Sequence, residues 1–187
     1  AESATLRRLD ADACDYALEV TDSTNLLRFL EQGSLFVSHH GGYRYHALFA
    51  DFLRRRSDVS SERREEIHRR AAAFFVRRGN EEEAVQHLLA ANDYDAAGDL
   101  LARVGARMTE TGRHRALAAL LDRLPEAVLS RSGALLLMHA ETHRLASRYG
   151  EAIPLYVRAR DRFHGAGDVS GEVRALRAQA LVYLDTV

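Results

Sequence analysis

The sequence predicts a mainly α-helical protein with one β-hairpin near its amino terminus and a stack of antiparallel helix pairs after it. Three observations predict this fold class. Apolar residues recur at helical spacing through most of the chain, and aromatic and polar residues alternate clearly only at residues 43–45. From residue 79 onward, glycines recur at similar intervals: Gly79 and Gly112 are 33 residues apart, and Gly112 and Gly150 are 38 residues apart.

The composition limits the classes of function open to the chain. Its 187 residues are 47% hydrophobic and 28% charged, which is ordinary for a folded protein of one large or two small domains. The formal net charge of -1 excludes a generally basic nucleic-acid binder. The chain contains no lysine and no Walker phosphate-binding loop. We therefore expect no ATP hydrolysis, and no enzyme activity, from this chain itself.

Cysteine usage and hydropathy predict a soluble, cytoplasmic protein. Cys14 is the single cysteine, so no internal disulfide can form, and we expect this residue to be a small buried core side chain. No apolar run approaches the roughly 18 residues of a membrane span, and the first residues do not form a signal peptide. The chain begins without methionine and ends at Val187 inside a helical pattern. These features suggest a piece of a longer polypeptide.

Two short helices are predicted before the hairpin. Asp10 is placed to cap the first helix, Asp22 or Ser23 to cap the second, and Gly33 to end the second. Their apolar faces comprise Ala13, Cys14, Ala17 and Leu18 in the first helix, and Leu26, Leu27 and Leu30 in the second.

The predicted hairpin joins strands at residues 35–38 and 43–46 through a loop, residues 39–42, that contains two glycines. Two helices followed by a hairpin form the end of a winged helix. A DNA-reading winged helix would carry a basic helix before the wing, whereas residues 22–31 carry balanced charge. We interpret this module as an intramolecular packing element.

A strand runs almost directly into a helix at His46. Beyond it, apolar residues at positions 48, 49, 52 and 53 form one helical stripe. The opening amides of a helix have no internal partner and attract anions, so this junction is the first candidate site. An imidazole here can donate to a phosphate oxygen. The alternative is a local cap that packs beneath the wing.

Residues 53–78 form a locally basic stretch. Nine arginines (54, 55, 56, 63, 64, 69, 70, 77 and 78) stand against four carboxylates (58, 62, 65 and 66). One interpretation is a surface for nucleic acid or an acidic partner domain. The other is a solvated helix with pairs at i,i+4, Glu65 with Arg69 and Glu66 with Arg70. The second is favoured, because the aromatic residues of the stretch fall on its apolar side.

From Gly79 onward the pattern predicts paired helices. Asn80 caps one helix and Asp93 begins the next. Their apolar faces are Ala84, Val85, Leu88 and Leu89, then Tyr94, Ala97, Leu101 and Val104. The clearest unit is Leu135–Gly167, with a turn at Tyr149–Gly150 and with Pro154 in the opening turn of its second helix. The glycine intervals are near the ~34-residue period of tetratricopeptide repeats (TPR), so a TPR-like, right-handed stack is predicted.

The chain resembles the MalT-like, LuxR-type ATP-dependent transcriptional regulators, which belong to the STAND class of signal-transduction ATPases. The resemblance lies in Tyr43–Arg54, Ala84–Ala97, Leu121–Pro125 and Leu145–Leu155. It implies that residues 1–57 are the carboxy-terminal part of a winged-helix module. It further implies that residues 58–187 begin a TPR-like sensor region.

The resemblance also implies a nucleotide switch in the parent protein. In that family an ATPase domain precedes the winged helix, which folds over bound nucleotide, and a histidine after the wing contacts the β-phosphate of ADP. His46 matches that histidine, while the next residue, often aspartate in the family, is Ala47 here. The implied cofactor is ATP or ADP bound by the parent protein, and the implied partner is the upstream ATPase domain. From the balanced charge of residues 22–31, we expect no direct nucleic-acid contact by this segment.

Two further groups of residues are candidate sites in the predicted helical region. His139 and His143 share a helix face and could bind zinc, but Glu141 is not in the metalloprotease position and spacing reveals no third ligand. We therefore predict no metal site. A ligand or partner surface could include Tyr94, Arg113, Arg115, Arg148, Tyr149 and Tyr156. Packing between helices is the favoured interpretation of its tyrosines.

Two hypotheses from different functional classes follow. The first is a regulatory segment in which an unknown small-molecule or protein inducer binds the helical repeats and alters a nucleotide switch. The second is a free-standing helical-repeat adaptor that binds a protein or peptide in a concave face.

Overall fold

The computed structural model describes residues 2–6, 8–33, 37–39, 43–56 and 58–185. The chain divides into two compact units, Ala1–Asp93 and Tyr94–Val187. Compact packing extends the first unit to Asp93. The predicted change from winged helix to helical repeat after residue 57 stays a prediction. Within the described ranges every helix is too short or too polar to traverse a bilayer.

In its described residues the first unit is helical apart from one hairpin, which confirms the predicted mainly α-helical fold class. Its elements are a 3-10 turn at Glu2–Thr5, α1 (Ala11–Leu18), α2 (Ser23–Gln32), β1 (Val37–His39), β2 (Tyr43–Tyr45), α3 (Ala47–Arg56), α4 (Ser61–Arg77) and α5 (Glu81–Ala90). The strands are antiparallel, with Val37 opposite Tyr45 and His39 opposite Tyr43. The predicted strand start at residues 35–36 and loop residues 40–42 lie outside the described residues.

The two predicted caps before the hairpin have different outcomes. Asp10 accepts a hydrogen bond from the Ala13 amide at 3.0 Å, as predicted. Asp22 occupies the N-cap position of α2 at φ 76°, and its side chain makes no capping bond. The Ser23 amide instead donates to Asp15 Oδ1 at 3.0 Å, so a carboxylate of α1 caps α2.

The core of the first unit joins its amino-terminal segment to α4. Its buried members are Leu6, Leu9, Cys14, Ala17, Leu27, Ile67 and Ala71, with Tyr43 and Tyr45 packed against them. The Leu9 amide donates to the Tyr43 carbonyl at 2.8 Å, which ties the hairpin to the segment before α1. Cys14 is buried as predicted, and burial raises the pKa of its thiol to about 12.

Part of the predicted apolar pattern faces solvent. In α2, Leu27 is buried, but Leu26, which was predicted on the same apolar face, is 59% exposed. In α3 none of the described residues is buried, and Leu48 and Phe52 are exposed. Periodicity marks an apolar face correctly in both helices, but it does not determine whether the same chain covers that face.

The second unit consists of helices throughout its described residues. They are α6 (Tyr94–Glu110), α7 (His114–Leu121), α8 (Glu126–Leu129), α9 (Gly133–Leu145), α10 (Tyr149–Gly165) and α11 (Val169–Asp185). The most extensive packing joins α9 to α10 and α10 to α11, and α9 also contacts α6, α7 and α11. Paired helices are thus present, while the TPR-like, right-handed form of the stack stays a prediction.

Two details of the α9–α10 connection were predicted wrongly. Gly150 is the second residue of α10, and the left-handed turn residue is Ser147, at φ 58°. Pro154 is accordingly the sixth residue of α10 rather than part of its opening turn. Its missing amide therefore removes one bond inside the helix, the bond to the carbonyl four residues earlier.

Phe163 holds the last three helices together. Its ring packs with buried Leu136 of α9 and buried Ala175 of α11. A Cβ atom at either Gly133 or Gly171 would overlap this ring, so the two glycines allow the close approach.

A histidine pair joins α4 to α5, with His87 buried and His68 half-buried. His68 Nδ1 and His87 Nδ1 are 2.9 Å apart, and the ring of Phe75 stacks on His87 with a centroid separation of 5.4 Å. Burial lowers the pKa of both imidazoles to about 4, so both rings are neutral at pH 7. The pairing depends on how α4 and α5 pack, so sequence spacing did not reveal it.

We expect Leu136→Ala to destabilise the protein by about 3 kcal/mol, because this side chain is 1% exposed and its loss leaves a cavity. Leu145→Ala is the matched control on the same helix, since Leu145 is 43% exposed. Urea denaturation measures both changes. Equal losses in the two variants would contradict the described core.

We expect stability to fall as the pH drops from 6.5 toward 4. In that range the unfolded chain binds protons at His68 and His87 that the folded chain excludes, so the stabilisation is fully present above pH 6.5. The loss is on the order of 3 kcal/mol for each of the two histidines. Urea denaturation at a series of pH values measures it.

The double variant His68→Leu/His87→Leu should flatten this pH dependence. His164→Leu is the control, because that side chain is 77% exposed. A pH profile that keeps its slope in the double variant would show that other groups control the acid response.

Candidate functional site

The first candidate site is the junction between β2 and α3. β2 ends at Tyr45 and α3 begins at Ala47, so the predicted strand-to-helix step at His46 is confirmed. The His46 carbonyl accepts from the Phe49 and Ala50 amides, both at 2.9 Å, which places this residue at the N-cap position. His46 is exposed, so its imidazole is not packed beneath the wing. The opening amides of α3 and the imidazole therefore lie at one surface.

A basic groove lies beside the first turn of α3. Its volume is about 480 Å³, and its lining includes Arg8, Arg44 and Arg54 with the single carboxylate Glu83. Ala47 and Ala50 of α3 form part of its wall, whereas His46 is not among its lining residues. An excess of guanidinium groups beside a helix start suits an anionic group such as a phosphate. This groove could not be predicted from the sequence, because Arg8, Arg44 and Arg54 lie far apart in the chain.

An apolar groove of about 570 Å³ lies on the same unit, between α1 and α2. Leu18, Val20 and the exposed Leu26 contribute to its walls. Tyr45 of β2 also lines it and shares a hydrogen bond of 2.9 Å with the Ser3 hydroxyl. The groove could accommodate apolar side chains.

The arginines of the basic stretch are largely engaged within the first unit. Arg63 pairs with Glu2 at 2.9 Å, Arg70 pairs with Glu19 at 2.6 Å, and Arg78 pairs with Asp12. The hydrogen bond from Arg63 lowers the pKa of Glu2. These contacts favour internal pairing over a nucleic-acid surface.

The two predicted i,i+4 pairs have different outcomes. The pair of Glu65 with Arg69 is present at 3.7 Å, and Arg69 also contacts Glu66 at 3.3 Å. Arg70, predicted to pair with Glu66, instead reaches Glu19, because α1 packs directly against α4.

The predicted surface residues of the helical unit lie at the starts of three helices. Tyr94 begins α6, Tyr149 begins α10, and Arg113 and Arg148 occupy the N-cap positions of α7 and α10. Tyr156 is fully buried, so packing is its role. Arg115 is exposed in the first turn of α7. The described contacts do not join these residues into one site.

The predicted histidine face of α9 has an additional neighbour. His139 and His143 lie within hydrogen-bonding distance of each other, and His139 also contacts Asp122 at the end of α7. Asp122 lies 17 residues before His139 in the chain, so helical spacing could not indicate it. Packing between α7 and α9 brings the three residues together.

Comparison with known proteins gives a match over part of the chain. Over 184 aligned residues, this chain is 32% identical to the serine/threonine-protein kinase PknK of Mycobacterium tuberculosis (strain CDC 1551 / Oshkosh). The same values hold for the PknK proteins of M. tuberculosis strain H37Rv and of Mycobacterium bovis. The alignment covers 90% of this chain but spans only 16% of each relative.

No solved structure shows a significant match to the chain. Residues 1–67 match the family model of the MalT winged helix domain, and this range contains the hairpin, His46 and α3. The resemblance to MalT-like proteins is thus confirmed for residues 1–67, which are similar to the MalT winged helix domain.

Proposed function

We propose that this chain is a regulatory segment of a MalT-like, LuxR-type transcriptional regulator of the STAND class. In this proposal the winged-helix part closes over a nucleotide-binding ATPase domain, and the helical unit responds to an inducer or a protein partner. The observation that carries the proposal is the exposed His46 at the strand-to-helix junction, within the residues that match the MalT winged helix domain.

The chemistry of the junction supports a phosphate-sensing role for His46. The imidazole lies at the start of a ten-residue helix, where unpaired amides and the helix dipole favour negative charge. Arg44 lines the neighbouring groove and adds positive charge there, whereas Arg54, which also lines it, pairs with Asp51 at 2.7 Å. Ala47 stands where the family often has aspartate, so recognition here would depend on the histidine, the amides and the neighbouring arginine.

The exposed face of α3 supports docking of a partner domain. Leu48 is 75% exposed and Phe52 is 49% exposed, although both lie on the apolar stripe of the helix. Arg56 lies over the Phe52 ring at 5.6 Å, which adds charge at the edge of this face. Burial of such a face against a second domain is favourable, and we assign that domain to the upstream ATPase.

The kinase relatives are consistent with a regulatory segment rather than a catalytic one. Protein kinases use a lysine to hold the phosphates of ATP, and this chain has no lysine. The alignment also spans only 16% of those proteins. We therefore propose that the segment shared by this chain and the kinase relatives has a regulatory role and does not catalyse phosphoryl transfer.

Regulation would act through a shift between two populations of the parent protein. An inducer that binds the helical unit more tightly in the active state favours that state by the ratio of its two affinities. The ADP-bound form, in which His46 contacts the β-phosphate, would be the resting state. DNA recognition would reside elsewhere in the parent protein.

The free-standing adaptor remains the second candidate because one face of α11 is apolar and exposed. Val169, Val173 and Leu176 follow helical spacing along this face, with exposures of 70%, 56% and 44%. A partner helix could cover this stripe. In the regulatory proposal the same stripe would receive the next helix of the sensor.

We expect His46→Ala, made in the full-length natural protein, to weaken ADP binding about tenfold, because a hydrogen bond to a charged phosphate is lost. Isothermal titration calorimetry measures the affinity. His164→Ala is the matched control, since His164 is an exposed histidine at the end of α10. Unchanged ADP affinity in a folded His46→Ala protein would refute the sensor role.

The two candidate functions also differ in the gene that encodes the chain. The regulatory proposal requires a phosphate-binding loop before this segment and a helix-turn-helix after it in the same reading frame. Sequencing the natural reading frame tests this requirement. A frame that lacks both elements would favour the adaptor.

A further inference from the structure

Three potential metal ligands converge between α7 and α9. His143 Nε2 lies 3.1 Å from His139 Nε2, which in turn lies 3.0 Å from Asp122 Oδ1. The potential ligand atoms of all three residues lie within 4.8 Å of one another. Both histidines lie on α9 four residues apart, and Asp122 is the C-cap of α7.

Hydrogen bonds alone do not satisfy this arrangement. His139 Nε2 carries either one hydrogen or one lone pair, yet it faces two close neighbours. With a hydrogen, that single proton must be shared between Asp122 and His143. Without one, its lone pair faces the lone pairs of the Asp122 carboxylate. A cation between the three groups interacts favourably with all of their lone pairs.

The electrostatic surroundings also favour a cation. Asp122 places a carboxylate at the carboxy-terminal end of α7, where the helix dipole is already negative. Glu126 lies close enough to interact with His139, and Glu151 with His143, while Arg148 opposes them.

We propose that Asp122, His139 and His143 bind a divalent cation of the zinc class. Zinc takes nitrogen and oxygen ligands at about 2.0–2.2 Å in a tetrahedron, which separates neighbouring ligand atoms by about 3.3 Å. The separations of 3.0 and 3.1 Å need a small opening of the side chains, and the third pair of ligand atoms, on Asp122 and His143, lies within 4.8 Å. The Asp122 side chain is 55% exposed, so the fourth position is open to water or to a ligand.

The chemistry of the ligands makes zinc or Co²⁺ a better occupant than Mg²⁺ or Ca²⁺. Two imidazoles and one carboxylate suit transition metals, whereas Mg²⁺ and Ca²⁺ prefer oxygen ligands throughout. Glu141 is bonded to Arg144 at 3.0 Å, so it is not placed as the general base of a metalloprotease. The site would therefore link α7 to α9 rather than perform hydrolysis.

The test uses this chain with Zn²⁺ and Co²⁺ alone. We expect equilibrium dialysis to give one Zn²⁺ per chain, and Co²⁺ to give the visible absorption of a tetrahedral site. Asp122→Asn should weaken Zn²⁺ binding at least tenfold and shift the Co²⁺ spectrum. His139→Gln and His143→Gln should each abolish the spectrum. Zn²⁺ should raise the melting temperature of the wild type but not of these variants.

His164→Gln is the matched control, because it removes an exposed histidine that lies outside the cluster. Asp122→Asn keeps the shape of an exposed side chain, so this variant tests the proposal even if the histidine variants unfold. No stoichiometric Zn²⁺ uptake would overturn the proposal. Binding that Asp122→Asn leaves unchanged, or that His164→Gln weakens equally, would overturn it as well.

Discussion

The first unit depends on the burial of α1 against α4, with the segment before α1 enclosed between that pair and the hairpin. Leu9 is completely buried there, and its amide bonds the carbonyl of Tyr43. A short hairpin has little stability of its own, so this bond and the packing of its two tyrosines fix where β2 lies. Because α3 begins one residue after β2, the same contacts determine where His46 is presented.

Arginine pairs orient this packing. Three arginines pair with carboxylates in the segment that contains α1. Arg63 and Arg70 lie within α4, and Arg78 is its C-cap. Each pair is partly exposed, so each contributes little to stability. Their value lies in geometry, since the planar guanidinium group restricts how α4 can slide or rotate against α1. The same pairing accounts for why a stretch so rich in arginine presents little unpaired charge.

Local patterns predicted most of the fold. Periodicity located most of the helices but not α7 and α8, Asp10 and Asn80 proved to be caps, and the aromatic alternation marked β2. These features depend on neighbours within a few residues in the chain, so the sequence displays them directly.

Features set by packing could not be predicted in this way. Leu26 and Leu48 are apolar residues on apolar faces, yet nothing in their local pattern says whether another element covers them. Gly150 looked like a turn residue, whereas Ser147 adopts the left-handed conformation. The His68–His87 pair and the position of Asp122 both require two helices to meet. The candidate sites were therefore predictable one residue at a time, but not as groups.

The lengths of the helices in the second unit indicate where an additional contact between helices would most affect their positions. α9, α10 and α11 are long helices whose faces are filled by Phe163 and its neighbours, so apolar packing alone fixes their arrangement. α7 and α8 are short, eight and four residues, and their buried apolar side chains are Leu117, Leu120 and Leu121 in α7 and Leu129 in α8. Short helices are weakly determined by packing, and a polar contact at their ends then has more influence on their position. Asp122 lies at such an end, so its contact with α9 adds a polar link beside the buried leucines of α7.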